Sequence, residues 1–141
     1  MTDDASFKAK FAAILAKDPR YPLAAYEFVA DAVTYTTRKL KPAADSQERH
    51  HVSGQELLEG FRELGLDQFG CLAFELFADW GIHRTEDVGN IVFNLVNHSL
   101  LGASERDSLT DFADGYSFAE AFLRPFQANS RTADADLPPI A

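Results

Sequence analysis

The sequence predicts a mainly α-helical single domain of five to six helices, with a helix-turn-helix from about Leu72 to Val96 at its centre. Three observations predict it. Apolar residues recur at helical spacing along most of the stretch from Phe7 to Val96. Capping boxes and breakers punctuate that pattern at intervals that suit short helices. Twelve Phe in 141 residues supply a large apolar area, at a length where folding hides roughly two-thirds of the extended surface.

The first helix carries Phe7, Phe11, Ile14 and Leu15 on one face and ends at Asp18-Pro19, because the residue before proline is pushed out of the helical region. Pro22 suits the first turn of the second, where a missing N–H costs nothing. Leu23, Tyr26, Val29, Ala30, Val33, Thr37 and Leu40 form its apolar stripe, and Lys41-Pro42 closes it. Residues 42–49 are small and polar and read as a loop.

The third helix has the clearest start. Ser53-Gly54-Gln55-Glu56 is a capping box, with Val52 and Leu57 at the staple positions. Leu57, Leu58, Phe61, Leu64, Leu66 and Phe69 follow on the apolar side, and Glu56, Glu59, Glu63 and Asp67 on the polar side. Gly70 predicts a bend before a helix through Leu72, Ala73, Leu76, Phe77 and Trp80, with Gly81 as its C-terminal stop. Thr85 is the expected N-cap of the next helix, whose buried stripe is Val88, Ile91, Val92, Leu95 and Val96. Ser117-Phe118-Ala119-Glu120 is a second capping box, opening a short helix that Pro125 stops. Gly60, Gly65 and Gly89 fall inside helical patterns, which predicts close approach of a neighbouring backbone where no Cβ fits.

The order of elements also admits a winged-helix-like arrangement. A short β-hairpin would lie near 100–113, and His51-Val52 would add a third strand. The expected domain is residues 1–126, followed by a disordered tail, 127–141, that is small, polar and ends in Pro-Pro.

The net charge of −9 is unevenly distributed. From Met1 to Arg49 eight basic residues face seven acidic ones, whereas from His50 to Phe126 four basic residues face thirteen acidic ones. All five lysines lie at or before Lys41. Such a central region repels phosphate and is suited to a basic protein surface, or simply to keeping the chain in solution, rather than to nucleic acid or anionic lipid. A single cysteine, Cys71, excludes an internal disulfide. The acidic start has no secretory pattern and no run approaches the ~20 apolar residues of a membrane helix, so a cytoplasmic location is expected.

Several fragments together carry a resemblance. They are Tyr26-Glu-Phe28-Val29, His51-Val-Ser-Gly-Gln-Glu56-Leu57, Phe69-Gly70, Trp80-Gly81, Thr85-Glu-Asp87-Val-Gly89-Asn-Ile91-Val-Phe93-Asn-Leu95-Val96, Asp107-Ser108, Asp111-Phe112 and Phe118-Ala-Glu-Ala121-Phe122. In these the chain resembles a family of small, uncharacterised bacterial proteins of about this length, over roughly residues 21–123. The resemblance implies no activity, cofactor or catalytic residue.

The candidate chemistry is sparse. The second helix of the pair, Thr85 to Ser99, offers Glu86, Asp87, Asn90, Asn94, Asn97 and His98 but no Lys or Arg, which argues against reading DNA. If DNA were bound, Lys8, Lys10, Lys17, Arg38, Lys39 and Lys41 would have to supply the phosphate contacts. Glu75 and Asp79 stand one helical turn apart with His83 four further on, so with His51 they are the candidate metal ligands of a small metal-dependent protein or enzyme. The alternative for the same residues is a solvated face. Cys71, between Phe69 and Leu72, reads as a buried inert thiol. Glu59 and Glu63 could serve as an acid/base pair only in a partly dry pocket; otherwise they pair with Arg62 or stay hydrated. No phosphate loop, zinc knuckle or nucleophile elbow occurs. Tyr35, Phe74, Phe93 and Tyr116 lie outside the simplest stripes and are the expected exposed anchors for a partner. The expectation is therefore a protein-interaction or regulatory module with no catalytic residues and no cofactor, whose partner is another protein.

Overall fold

The helices expected from the sequence form, and the caps expected at Ser53 and Gly81 form with them. The computed structural model describes residues 2–40, 52–98, 109–113 and 115–126. Helix α1 spans Thr2–Lys17, α2 Leu23–Leu40, α3 Gly54–Phe69, α4 Ala73–Asp79 and α5 Thr85–Asn97. A 3-10 turn, Gly70–Leu72, joins α3 to α4, another covers Leu109–Phe112, and a π-type turn spans Ala119–Leu123. The protein is mainly helical, and no strand occurs among the described residues.

Each boundary has a local cause. The Glu56 N–H donates to Ser53 Oγ at 3.1 Å while the Ser53 N–H donates to the Glu56 carboxylate at 3.0 Å, so the capping box of α3 is closed in both directions. The α4 terminus is a Schellman motif: Ile82 N–H reaches the Phe77 carbonyl at 2.8 Å and Gly81 N–H the Ala78 carbonyl at 2.9 Å. Gly81 has φ of 83°, the left-handed backbone this motif needs. Gly70, at φ of 55°, sits where the expected bend falls and separates α3 from α4.

α2 lies between α3 and α5 and touches both. This shifts its buried stripe from the one expected. Ala25, Phe28, Ala32 and Thr36 join Tyr26 and Val29 in the interior, whereas Leu40 is 42 % exposed. Ala25 and Ala32, two turns apart on one face of α2, are both fully buried. The Thr36 hydroxyl keeps its hydrogen bond by donating to the Ala32 carbonyl one turn back, at 2.7 Å.

The centre is aromatic. Phe28, Phe61 and Phe77, from α2, α3 and α4, meet with ring centroids 4.7–5.4 Å apart. Phe122 and Phe118 close the cluster from the C-terminal turn, Phe122 lying 5.1 Å from Phe77. Edge-on and tilted pairs of this kind add to the stabilisation from area burial alone. Val88, Ile91, Val92 and Leu95 of α5 are all buried as the stripe predicts.

The helical glycines mark close approaches, and what approaches is side chain. A Cβ at Gly60 would stand 2.9 Å from Thr36 Cβ and closer still to its hydroxyl. A Cβ at Gly89 would meet Phe112 Cβ at 2.8 Å, and one at Gly65 would meet the Phe77 ring at 2.8 Å.

Three expectations are corrected. The hairpin near 100–113, and with it the winged-helix arrangement, is not supported: Leu109–Phe112 is a 3-10 turn, and residues 99–108 lie outside the described residues. The physical reason is the wedge that Phe112 makes over Gly89, which holds this segment against α5 rather than leaving it extended. Thr85 does not cap α5. It is buried, and its hydroxyl accepts from the Gly115 N–H at 3.0 Å, tying down the C-terminal segment instead. Pro125 does not stop the last helix, which continues to residue 126 behind the π-type turn. The wider turn accommodates a proline that lacks its N–H. The 42–49 loop, His51 and the 127–141 tail lie outside the described residues.

The glycine contacts give a direct test. Gly60→Ala lowers unfolding stability by about 1–3 kcal/mol through overpacking against Thr36. Combining it with Thr36→Ala recovers part of that loss in urea denaturation; fully additive losses would refute the contact.

Candidate functional site

Asp87, Asn90 and Asn94 of α5 are bonded to the turn between α1 and α2 rather than open as a recognition surface, while Asn97 is exposed. Tyr21 donates its hydroxyl to Asp87 Oδ1 at 2.6 Å, and Asn90 Nδ2 donates to the same tyrosine oxygen at 3.1 Å. Asn94 Nδ2 donates to Asp18 Oδ2 at 2.8 Å and to the Tyr26 hydroxyl at 3.0 Å. Asp87, Asn90 and Asn94 lie on one side of α5 because they are three and four residues apart.

Charge holds this cluster from both ends. Asp18 accepts from Arg20 Nε and Nη2, each at 2.7 Å, in a bidentate fork. That guanidinium, with Asn94, holds the Asp18 carboxyl well below the usual carboxylate range against the opposing effect of burial. Asp87 Oδ2 accepts from the His83 N–H at 2.8 Å and more loosely from the Arg84 N–H at 3.3 Å, so this carboxylate caps α5 in the role expected of Thr85. Arg20 also sits over the Tyr21 ring, 5.2 Å from its centroid.

The expected metal ligands do not converge. Glu75, Asp79 and His83 are exposed, and His51 lies outside the described residues. Among the described residues no three His, Cys, Asp or Glu side chains come together in a way that could hold a metal ion. Cys71 is exposed rather than buried, because the 3-10 turn after Gly70 rotates it outward beside Leu72, which is 61 % exposed. Tyr35, Phe74, Phe93 and Tyr116 are half-buried against the core rather than projecting as anchors. Two of them are fixed by their hydroxyls: Tyr116 donates to the Leu58 carbonyl at 2.8 Å and Tyr35 to Glu63 at 3.0 Å. Glu63 also pairs with Lys39 Nζ, at 2.5 Å, and lies below the usual carboxylate range for that reason first. Glu63 thus bonds both Tyr35 and Lys39 across from α3 to α2.

A groove of about 340 Å³ remains between α3 and the segment 111–116, lined by Gln55, Leu58, Glu59, Asp111, Ala113, Gly115 and Tyr116. Leu58 is buried, and Gln55 and Glu59 rise from successive turns of α3. Glu59 is held by Arg62 in a bidentate pair through Nε and Nη2, on a side chain that is half exposed. Sequence reasoning found Glu59 but missed the groove. Its far wall depends on contacts between residues that are distant in the chain, such as Gly115 with Thr85 and Tyr116 with Leu58.

No family model, curated protein or solved structure matches the chain. No helix among the described residues is long and apolar enough to cross a membrane.

Two outcomes follow from the α5 cluster. Asp87→Ala removes the acceptor of the buried Tyr21 hydroxyl and of two N-terminal amides, and costs about 2–3 kcal/mol in denaturant unfolding. Glu75→Ala, on an exposed face, stays within about 0.5 kcal/mol.

The pH dependence has a defined sign. Tyr21, Tyr26 and Tyr116 are pushed above the ordinary phenol value first by burial, and Tyr35 first by its bond to Glu63. The folded state therefore keeps phenol protons that the unfolded chain releases near pH 10, so this stabilisation is complete below about pH 10 and is lost above it. In a Tyr35→Phe variant, tyrosine absorbance at 295 nm should rise at higher pH in the folded chain than in the urea-unfolded chain. Coincident rises in the two states would contradict this.

Proposed function

We propose that the protein is a binding module that recognises the basic surface of another protein, and that it works without a catalytic centre. The observation that carries this reading is the acidic groove between α3 and residues 111–116, with Glu59 and Asp111 in its lining. The wider charge pattern supports it, since thirteen acidic residues face four basic ones from His50 to Phe126. Such a field speeds encounter with a basic partner and disfavours phosphate-bearing ones.

The disposition of α5 supports the same reading against DNA binding. Asp87, Asn90 and Asn94, the side chains a recognition helix would offer to bases, already bond to the α1–α2 turn. Exposing them would break the Asp18 and Tyr21 contacts. The metal-dependent alternative, through Glu75, Asp79, His83 and His51, has no convergent geometry in its favour among the described residues.

The test is affinity capture with the full chain, at about 50 mM and then at about 0.5 M salt. The Debye length shortens severalfold across that range, so an exposed electrostatic interface weakens. A reproducible basic protein retained at low salt and released at high salt is the expected result. Absence of any reproducible protein partner, or a partner held equally at both salts, would contradict the proposal.

A further inference from the structure

We propose that the α3 groove is the specificity pocket of this module and that it takes an arginine side chain of the partner, with Glu59 as the carboxylate that grips it. This rests on the reading of the protein as a binder of basic protein surfaces and assigns that binding to a particular site.

Size limits the occupant. At about 340 Å³ the groove is at the small end of ligand pockets, room for one long side chain with its neighbouring backbone. Chemistry limits it further. The Glu59 and Asp111 carboxylates disfavour an anion, and the Gln55 side chain can add a carbonyl acceptor at the same rim. The wall is aromatic: Tyr116 is steadied by its bond to the Leu58 carbonyl and by Phe118, 5.8 Å away between ring centroids. Leu58, which also lines the groove, is almost wholly covered, so a methylene stem would lie chiefly against the Tyr116 ring. A carboxylate fork beside an aromatic face suits a planar guanidinium, which bonds bidentately and stacks, better than a compact ammonium.

Glu59 already accepts a guanidinium within the chain. Arg62 forks onto it from one turn further along α3. Both side chains are substantially exposed, 32 % for Arg62 and 50 % for Glu59, so their pair is a weak one that an incoming arginine can exchange. Arg62 thus occupies the gripping carboxylate until the partner arrives. Two opposite consequences follow. Removing Glu59's charge weakens binding, and removing Arg62 strengthens it. A general attraction to the acidic surface would also weaken with the first change and rise slightly with the second, but it would not distinguish guanidinium from ammonium or localise to the groove.

The experiment is an NMR titration of the full chain with three acetylated, amidated tripeptides, Gly-Arg-Gly, Gly-Lys-Gly and Gly-citrulline-Gly. The arginine peptide should shift the amides of Gln55, Glu59, Gly115 and Tyr116 and bind more tightly than the lysine peptide, and the uncharged citrulline peptide should not bind. Glu59→Gln should weaken the arginine peptide about tenfold, the loss of one charged fork. Arg62→Ala should tighten it about two- to fivefold, the factor that matches release of an exposed ion pair. Both sites are solvent-facing, and unchanged helical dichroism would verify the fold of each variant. Shifts scattered over the acidic surface, equal binding of arginine and lysine, or no gain with Arg62→Ala would overturn the pocket. Capture of a basic protein that Glu59→Gln leaves unaltered would overturn the pocket while sparing the binding-module reading. Groove-specific arginine binding without any captured partner would uphold the pocket and count against the module.

Discussion

The bonding of α5 to the α1–α2 turn is the constraint on which the rest of the arrangement depends. Tyr21 and Asp87 are 66 positions apart, yet their 2.6 Å hydrogen bond sets where the second helix of the helix-turn-helix lies. The same carboxylate caps α5 through the His83 amide, so one side chain starts the helix and docks it. Asn94 repeats the connection one turn on, through Asp18 and Tyr26. A buried phenol without an acceptor would cost about 1–3 kcal/mol, so these partners select one position of α5 over others that bury the same apolar stripe. With α5 fixed, Gly89 receives Phe112 and Thr85 receives Gly115, and residues 111–116 come to stand opposite α3. The groove follows from the latch.

That sequence of dependencies changes what the helix-turn-helix means. In a DNA reader the outer face of the second helix is kept open for base edges. Here that face is an internal interface of polar side chains with defined partners. The shape of the motif is present, and Asp87, Asn90 and Asn94 hold it against the α1–α2 turn.

Much of this was legible along the chain. Helix ends written in local chemistry were readable: Ser53 with Glu56, Asp18 before Pro19, and Gly81 each determine the backbone within a few residues of themselves. The interior glycines announced close contacts, though Gly60 and Gly89 meet the side chains of Thr36 and Phe112, where backbone was the expectation. What was not legible depends on distant partners. Thr85 has the sequence of a cap, but Gly115 takes its hydroxyl and Asp87 takes over the cap. Cys71 sits between apolar neighbours at helical spacing, and a 3-10 turn breaks the spacing and exposes it. The surplus aromatics Tyr35 and Tyr116 look like outward anchors in the sequence because their acceptors, Glu63 and the Leu58 carbonyl, lie on a helix remote in sequence. Periodicity assigns a face to a side chain, while only the tertiary fold assigns it a partner.

The central claim is that the polar face of α5 is an internal latch. A double-mutant cycle on Tyr21→Phe and Asp87→Ala, read by urea denaturation near neutral pH, tests it most directly. Residues bonded as these are should show a coupling energy of about 1–2 kcal/mol. Additivity within about 0.3 kcal/mol would show that the two side chains act independently and would contradict the latch.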